Sequence, residues 1–177
     1  MRWLLPLLPV LLAGCSWTGD AFYAASDAQT AIPAGDYRAV EASNGHDGGV
    51  VHVAVLPDGM TRITEGHATH GETLVGFAPL GSDHHFFVMW MASLDGEAPT
   101  AGETPYGLVE ARPGGGYRLY LPDCNGDRAV AVTAGAVPTA GAQPDCRFPD
   151  RAHLESGLAA YARHPGEALD LVPVRHD

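Results

Sequence analysis

The chain has 177 residues, 46% of them apolar, with a mean hydropathy of −0.03; that is enough for one domain with a sizeable core. Ten basic residues, all Arg, stand against 21 acidic ones, and a net charge of −11 excludes a nucleic-acid binder, which needs a basic face to displace counterions from phosphates. Gly 22 and Pro 14 favour turns over a helical bundle.

Residues 1–15 read MRWLLPLLPVLLAGC. Arg2 precedes an apolar run of about a dozen residues, too short and too interrupted by Pro to cross a ~30 Å hydrocarbon core. The pattern predicts a secretory signal. Its end, Leu12-Ala13-Gly14-Cys15, resembles the lipobox of bacterial lipoproteins. The resemblance covers those four residues and the run before them. It implies that 1–14 is a lipoprotein signal peptide and that the Cys15 thiol is acylated. Because Ser16 and not Asp follows, it also implies the periplasmic face of the outer membrane. Acyl chains contribute ~0.8 kcal/mol per buried CH₂, so several together anchor durably. The membrane is then a partner through the N-terminal lipid.

Residues 15–34 carry small and polar side chains without a sustained period, the pattern of a lipidated Cys followed by a flexible tether. From residue 35 to 177 the sequence reads as one β-rich domain. Short alternating or β-branched runs occupy 36–41, 50–56, 60–65, 73–80, 85–92, 106–111, 117–122 and 169–174, with a weaker strand over Ala129–Thr133. Pro57-Asp58-Gly59, Gly81-Ser82-Asp83 and Pro113–Gly116 are turn signals between them. One helix is predicted near 150–163: Asp150 is a good N-cap, Leu154, Leu158 and Tyr161 share a stripe, and Pro165-Gly166 stops it. The expected fold is all-β or β-rich α+β: an antiparallel meander, small barrel or sandwich, with one C-terminal amphipathic helix. The run at 85–92 is apolar on both faces, which predicts a strand covered on its second side.

In an unbroken meander the loops sort to two ends. Turns 57–59, 81–84 and 112–116 fall at one end and are short. Connections 42–49, 66–72, 93–105 and 123–128 fall at the other and are longer, which makes that end the candidate functional one. His46, His67 and His70 sort to it, and imidazoles so gathered suit Zn or Cu. His84 and His85 sort to the opposite end.

With Cys15 acylated, Cys124 and Cys146 remain, and in an oxidising envelope an even pair predicts a disulfide worth ~3 kcal/mol for a loop of about 22 residues. Asp123-Cys124-Asn125-Gly126-Asp127 resembles the start of an EF-hand calcium loop, but Arg128 stands where Gly is required and Ala134 where the bidentate Glu should be. A disulfide-pinned turn accounts for it better. No G-x-S-x-G, H-E-x-x-H, P-loop or G-x-G-x-x-G is present. The sequence therefore predicts a lipid-anchored envelope protein with a non-catalytic binding or structural role, no cofactor, and a cationic protein or small ligand as partner. The alternative is a periplasmic metal-binding or metal-sensing lipoprotein using His46, His67 and His70. Small barrel lipoproteins that inhibit lysozymes share the general shape, without a motif match.

Overall fold

The computed structural model describes residues 16–66, 71–82, 85–141 and 144–175. The strands are β1 (Trp17–Gly19), β2 (Gly35–Glu41), β3 (Asp47–Val55), β4 (Thr61–Glu65), β5 (Glu72–Pro79), β6 (Phe86–Leu94), β7 (Thr104–Ala111), β8 (Tyr117–Tyr120), β9 (Val137–Pro138), β10 (Cys146–Arg147) and β11 (Ala168–Pro173). Two helices, α1 (Arg128–Thr133) and α2 (Arg151–Tyr161), lie between β8 and β11.

Eight strands close an antiparallel barrel. β2 to β8 form an unbroken meander, and β11 inserts between β8 and β2 to complete the ring. The closing register is pinned on the outside, where Arg118 donates twice to the Asp170 carboxylate directly across from it, at 2.5 and 2.7 Å. Closure removes the exposed sheet edges that an open meander would leave.

Alternation explains the two cores. Inward positions of the ring, including Tyr37, Val51, Ile63, Phe77, Met89, Val109 and Leu171, form one buried cluster. Val88, Trp90, Tyr106, Leu108 and Tyr120 face outward and join a second, with Trp17, Tyr23, Phe148, Leu154, Leu158 and Tyr161. β6 is therefore apolar on both faces because both are covered. Gly76 sits opposite Trp90, and a Cβ there would meet the indole at 2.0 Å; the glycine lets the ring lie flat on the strand. Tyr23 then stacks on Trp90 with centroids 4.9 Å apart. The outer face of the remaining strands carries Arg38, His52, Arg62 and Asp170. An apolar inside and a polar outside are the reverse of a membrane-crossing barrel.

Two expectations change. Ala129–Thr133, expected as a strand, is helix α1. Its two alanines favour helix. Residues 16–34, expected as a flexible tether, are packed on the barrel. Trp17–Gly19 pairs with β7 on one side and β10 on the other, and Trp17 and Ile32 are fully buried. The buried apolar side chains that do this are spaced too irregularly to show a period. Of the small barrel and the sandwich that the sequence left open, the barrel forms. Helix α2 is capped by the Asp150 carboxylate, which accepts the His153 N–H, and it buries Leu154, Leu158 and Tyr161.

Candidate functional site

We call the barrel end carrying the 56–60, 80–85 and 112–116 turns the A end, and the other the B end. The loop sorting expected from the meander holds for the described residues: the chain leaves the ring at the B end after β2, β4, β6 and β8. At the A end the ring is filled from within. β4 starts opposite Val75, and just past it Gln29 donates its N–H to the Phe77 carbonyl, so that residues 28–33 turn inward and Ile32 joins the inner cluster.

The B end is not filled. An apolar cavity of about 50 Å³ lies in the mouth, walled by Ile63, Thr73, Val75, Met89, Met91, Leu119, Leu121 and Leu169. Leu119, Leu121 and Leu169 also line a wider space of about 570 Å³. That vestibule is bounded by the end of β2, the disulfide turn and the link from α2 to β11. Four carboxylates line it (Glu41, Asp123, Asp127 and Glu167), and among the described residues no basic side chain does.

Three of the four carboxylates are placed by a local cause. Glu41 lies opposite Leu169 in the ladder, on its inward-facing side, and takes the Asn44 side-chain N–H at 2.5 Å. Asp123 and Asp127 flank the Cys124–Cys146 disulfide turn. The Asp123 carboxylate accepts the N–H groups of Asn125 and Gly126, while Asp127 accepts the Asp123 N–H. Burial, with the neighbouring Asp123 charge, holds the Asp127 carboxyl above its ordinary range despite that hydrogen bond. Tyr161 donates nothing to the acids; its hydroxyl accepts the Gly166 N–H, and burial pushes its pKa up to about 12. Across the mouth, Asp95 adopts a left-handed backbone (φ 48°) that its side chain stabilises by accepting the N–H groups of Gly71 and Glu72. Two B-end connections are thereby tied together.

One residue of the cavity wall keeps a polar group that is neither bonded nor open to the cavity. Thr73 is 3% exposed and its hydroxyl has no hydrogen-bond partner among the described residues. It lies opposite Ile63, whose side chain belongs to the inner cluster. Such a group costs about 1–3 kcal/mol when left unpaired.

Of the residues singled out from sequence, Cys124 and Cys146 form the expected disulfide, with Cα atoms 5.1 Å apart. His46 is at the B end, its backbone N–H bonded to the Asn44 side chain. His67, His70 and Cys15 lie outside the described residues. Among the described residues, no three His, Cys, Asp or Glu side chains form a metal-holding group. Asp123 and Asp127 were singled out from sequence only as parts of the disulfide-pinned turn, and Glu41, Glu167 and Thr73 not at all: carboxylates abound in this chain, and only ring closure by β11 brings Glu41 and Glu167 to the disulfide turn. Comparison with protein families, curated proteins and solved structures finds no match for this chain.

Proposed function

We propose that this is a lipid-anchored envelope protein with a non-catalytic binding role, and that the B-end mouth is its binding site. The observation that carries the reading is the continuity of an apolar cavity with a vestibule that bears four carboxylates, at one end of a barrel whose other end is filled. Binding sites of this kind combine apolar walls with a few polar groups that set orientation. The lipobox-type signal supports acylation at Cys15 and a place on the periplasmic face of the outer membrane. Ser16, the next residue, is already fixed by a bridge to Asp123 and by the Asp145 carboxylate. The domain would thus stand directly on its anchor, with the vestibule acid Asp123 beside it.

The test is native mass spectrometry of the protein released from envelope membranes, with Leu169→Trp alongside to fill the mouth. The wild type should carry a small-molecule adduct that a folded Leu169→Trp protein lacks. An adduct carried equally by both, or by neither, removes the mouth as a site. Separately, Cys15→Ser should release the protein from membranes; a variant that still fractionates with them ends the anchor assignment.

A further inference from the structure

We propose that Asn44 is a site of self-modification, where the fold itself promotes loss of the side-chain amide as ammonia, and that Asn125 is protected from the same reaction. The sequence holds two asparagines, and a glycine follows each. In such a pair the glycine nitrogen can attack the asparagine side-chain carbonyl carbon, with no Cβ on the attacking residue to obstruct it. By sequence the two sites are equivalent. The structure separates them.

At Asn44 both sides of the amide are held. Its Oδ1 accepts the His46 N–H at 2.7 Å, closing an Asx-turn. The ring closed by that bond contains Asn44 Cγ and the Gly45 nitrogen, so the side chain is folded back towards its attacker. The His46 N–H also stands where negative charge develops on Oδ1 as the new bond forms. On the other side, Nδ2 donates to the Glu41 carboxylate at 2.5 Å. The Gly45 N–H donates to the Glu41 carbonyl and must leave it to react. Residues 42–46 are exposed, and a Cβ built on Gly45 would meet nothing within 4 Å beyond its chain neighbours, so the turn has room for that movement.

The Gly45 nitrogen bonds to Asn44 Cγ and gives its proton to the Glu41 carboxylate. Glu41 returns that proton to Nδ2, the Cγ–Nδ2 bond breaks, and ammonia leaves a cyclic succinimide. Water then opens the ring at either carbonyl, giving aspartate or isoaspartate. Glu41 ends as it began. The product places a carboxylate beside Glu41 where an amide donor stood, on the vestibule wall that Asn44 helps to line. The bond between the two side chains becomes a repulsion, and isoaspartate lengthens the backbone of the β2–β3 turn by one carbon. The rim of the vestibule thus changes irreversibly with the age of the molecule, whatever the mouth binds.

Asn125 is held differently. The Gly126 N–H donates to the Asp123 carboxylate at 2.7 Å, and the Asn125 N–H donates to the same oxygen at 2.6 Å. The nucleophile is therefore tied by a charge-assisted bond, about twice as strong as the neutral one at Gly45. Cys124, one residue earlier, is fully buried in its disulfide with Cys146. This turn has no freedom to swing the Gly126 nitrogen onto the side chain.

The test ages the whole purified protein at neutral pH and growth temperature, beside a sample unfolded in urea with its disulfide reduced. Peptide mapping by mass spectrometry then resolves asparagine, aspartate and isoaspartate at both positions. In the unfolded chain the two sites should convert alike. In the folded protein Asn44 should convert at least as fast as it does unfolded, with isoaspartate in the product. Asn125 should convert at least about tenfold more slowly folded than unfolded. Glu41→Gln keeps an oxygen for Asn44 Nδ2 but carries no proton, and should slow the folded Asn44 reaction at least about tenfold. Hydrogen exchange at the His46 N–H checks that the turn of that variant is intact. Folding that protects Asn44 as it protects Asn125 would overturn the proposal. So would a product of aspartate alone, which bypasses the Gly45 nitrogen, or a Glu41→Gln protein that converts as fast as wild type.

Discussion

At the A end of the barrel the turns are short, and residues 28–33 fold over and into the ring, where Ile32 is fully buried among Tyr37, Phe77 and Phe87. At the B end the connections are long, and the inward-facing side chains stop short, leaving the cavity beside Met89 and Met91. Both ends belong to the same eight strands with the same alternation. The difference comes from what the chain places over each opening. A strap of apolar residues seals one. A disulfide-pinned turn and the α2–β11 link wall the other without filling it. Gly59 shows how tightly the sealed end is made: its φ is +85°, and a Cβ there would lie 2.8 Å from the Ala28 carbonyl oxygen. The contrast teaches that the opening at the B end is a property of local sequence and not of barrel size.

The largest effect should come from unsealing the A end. Ile32→Ala removes a side chain with 0% exposure from a close-packed position, and should cost about 4 kcal/mol, in the upper part of the range for such truncations. Met91→Ala at the B end removes a side chain that already borders free space, and should cost only about 2 kcal/mol. Urea unfolding of the two variants gives the difference. Equal costs would mean that the B end is packed as tightly as the A end, and that the cavity does not matter to stability.

Next in size is the disulfide. It closes a 22-residue separation, and removing it by Cys124→Ala with Cys146→Ala should cost about 3 kcal/mol. The loss should be local in its dynamics. Hydrogen exchange should accelerate across 121–150, where the turn bears Asp123 and Asp127, and stay unchanged in the A-end turns. Acceleration spread evenly over both ends would show that the disulfide supports the whole barrel and not the vestibule wall.

How much of this was legible in the sequence follows from the range of the interactions. The strands of the meander, the sorting of its loops and the disulfide depend on alternation, turn residues and cysteine count, all of which are local. The closure by β11 was not legible, because the register between Asp170 and Arg118 joins segments 52 residues apart and nothing in either segment marks the other. The strap was not legible for a related reason. Trp17, Tyr23 and Ile32 are buried singly against a face that exists only once the barrel has formed. The candidate site needed the closure, since its walls come from β2, β4, β5, β6, β8 and β11 together.

The smallest effect is one of sign, and it compares two carboxylates near the B end. Asp127 faces the vestibule, where burial and the Asp123 charge hold its carboxyl above the ordinary value of 3.8. Asp47 begins β3 on the outside, where the Gly49 N–H and then the Arg38 guanidinium hold it below that value. A folded-state pKa that is raised means the native protein binds the proton more tightly than the unfolded chain. Stability then falls as pH rises from 3.8 through the raised value, and the penalty persists above it. Asp127→Asn keeps an oxygen for the Asp123 N–H and removes the charge, so it should be more stable than wild type at pH 7, with the gap closing as pH falls towards 3.8. Asp47 has the opposite sign. Its contribution is present above the ordinary value and is lost as pH falls through the lowered one, so Asp47→Asn should be less stable than wild type at pH 7 and converge with it in acid. Unfolding curves for both variants between pH 3 and 7 check the pair. If Asp127→Asn is instead destabilised at neutral pH, the vestibule charge is being compensated by a cation already in place, and the opening at the B end is occupied in the purified protein.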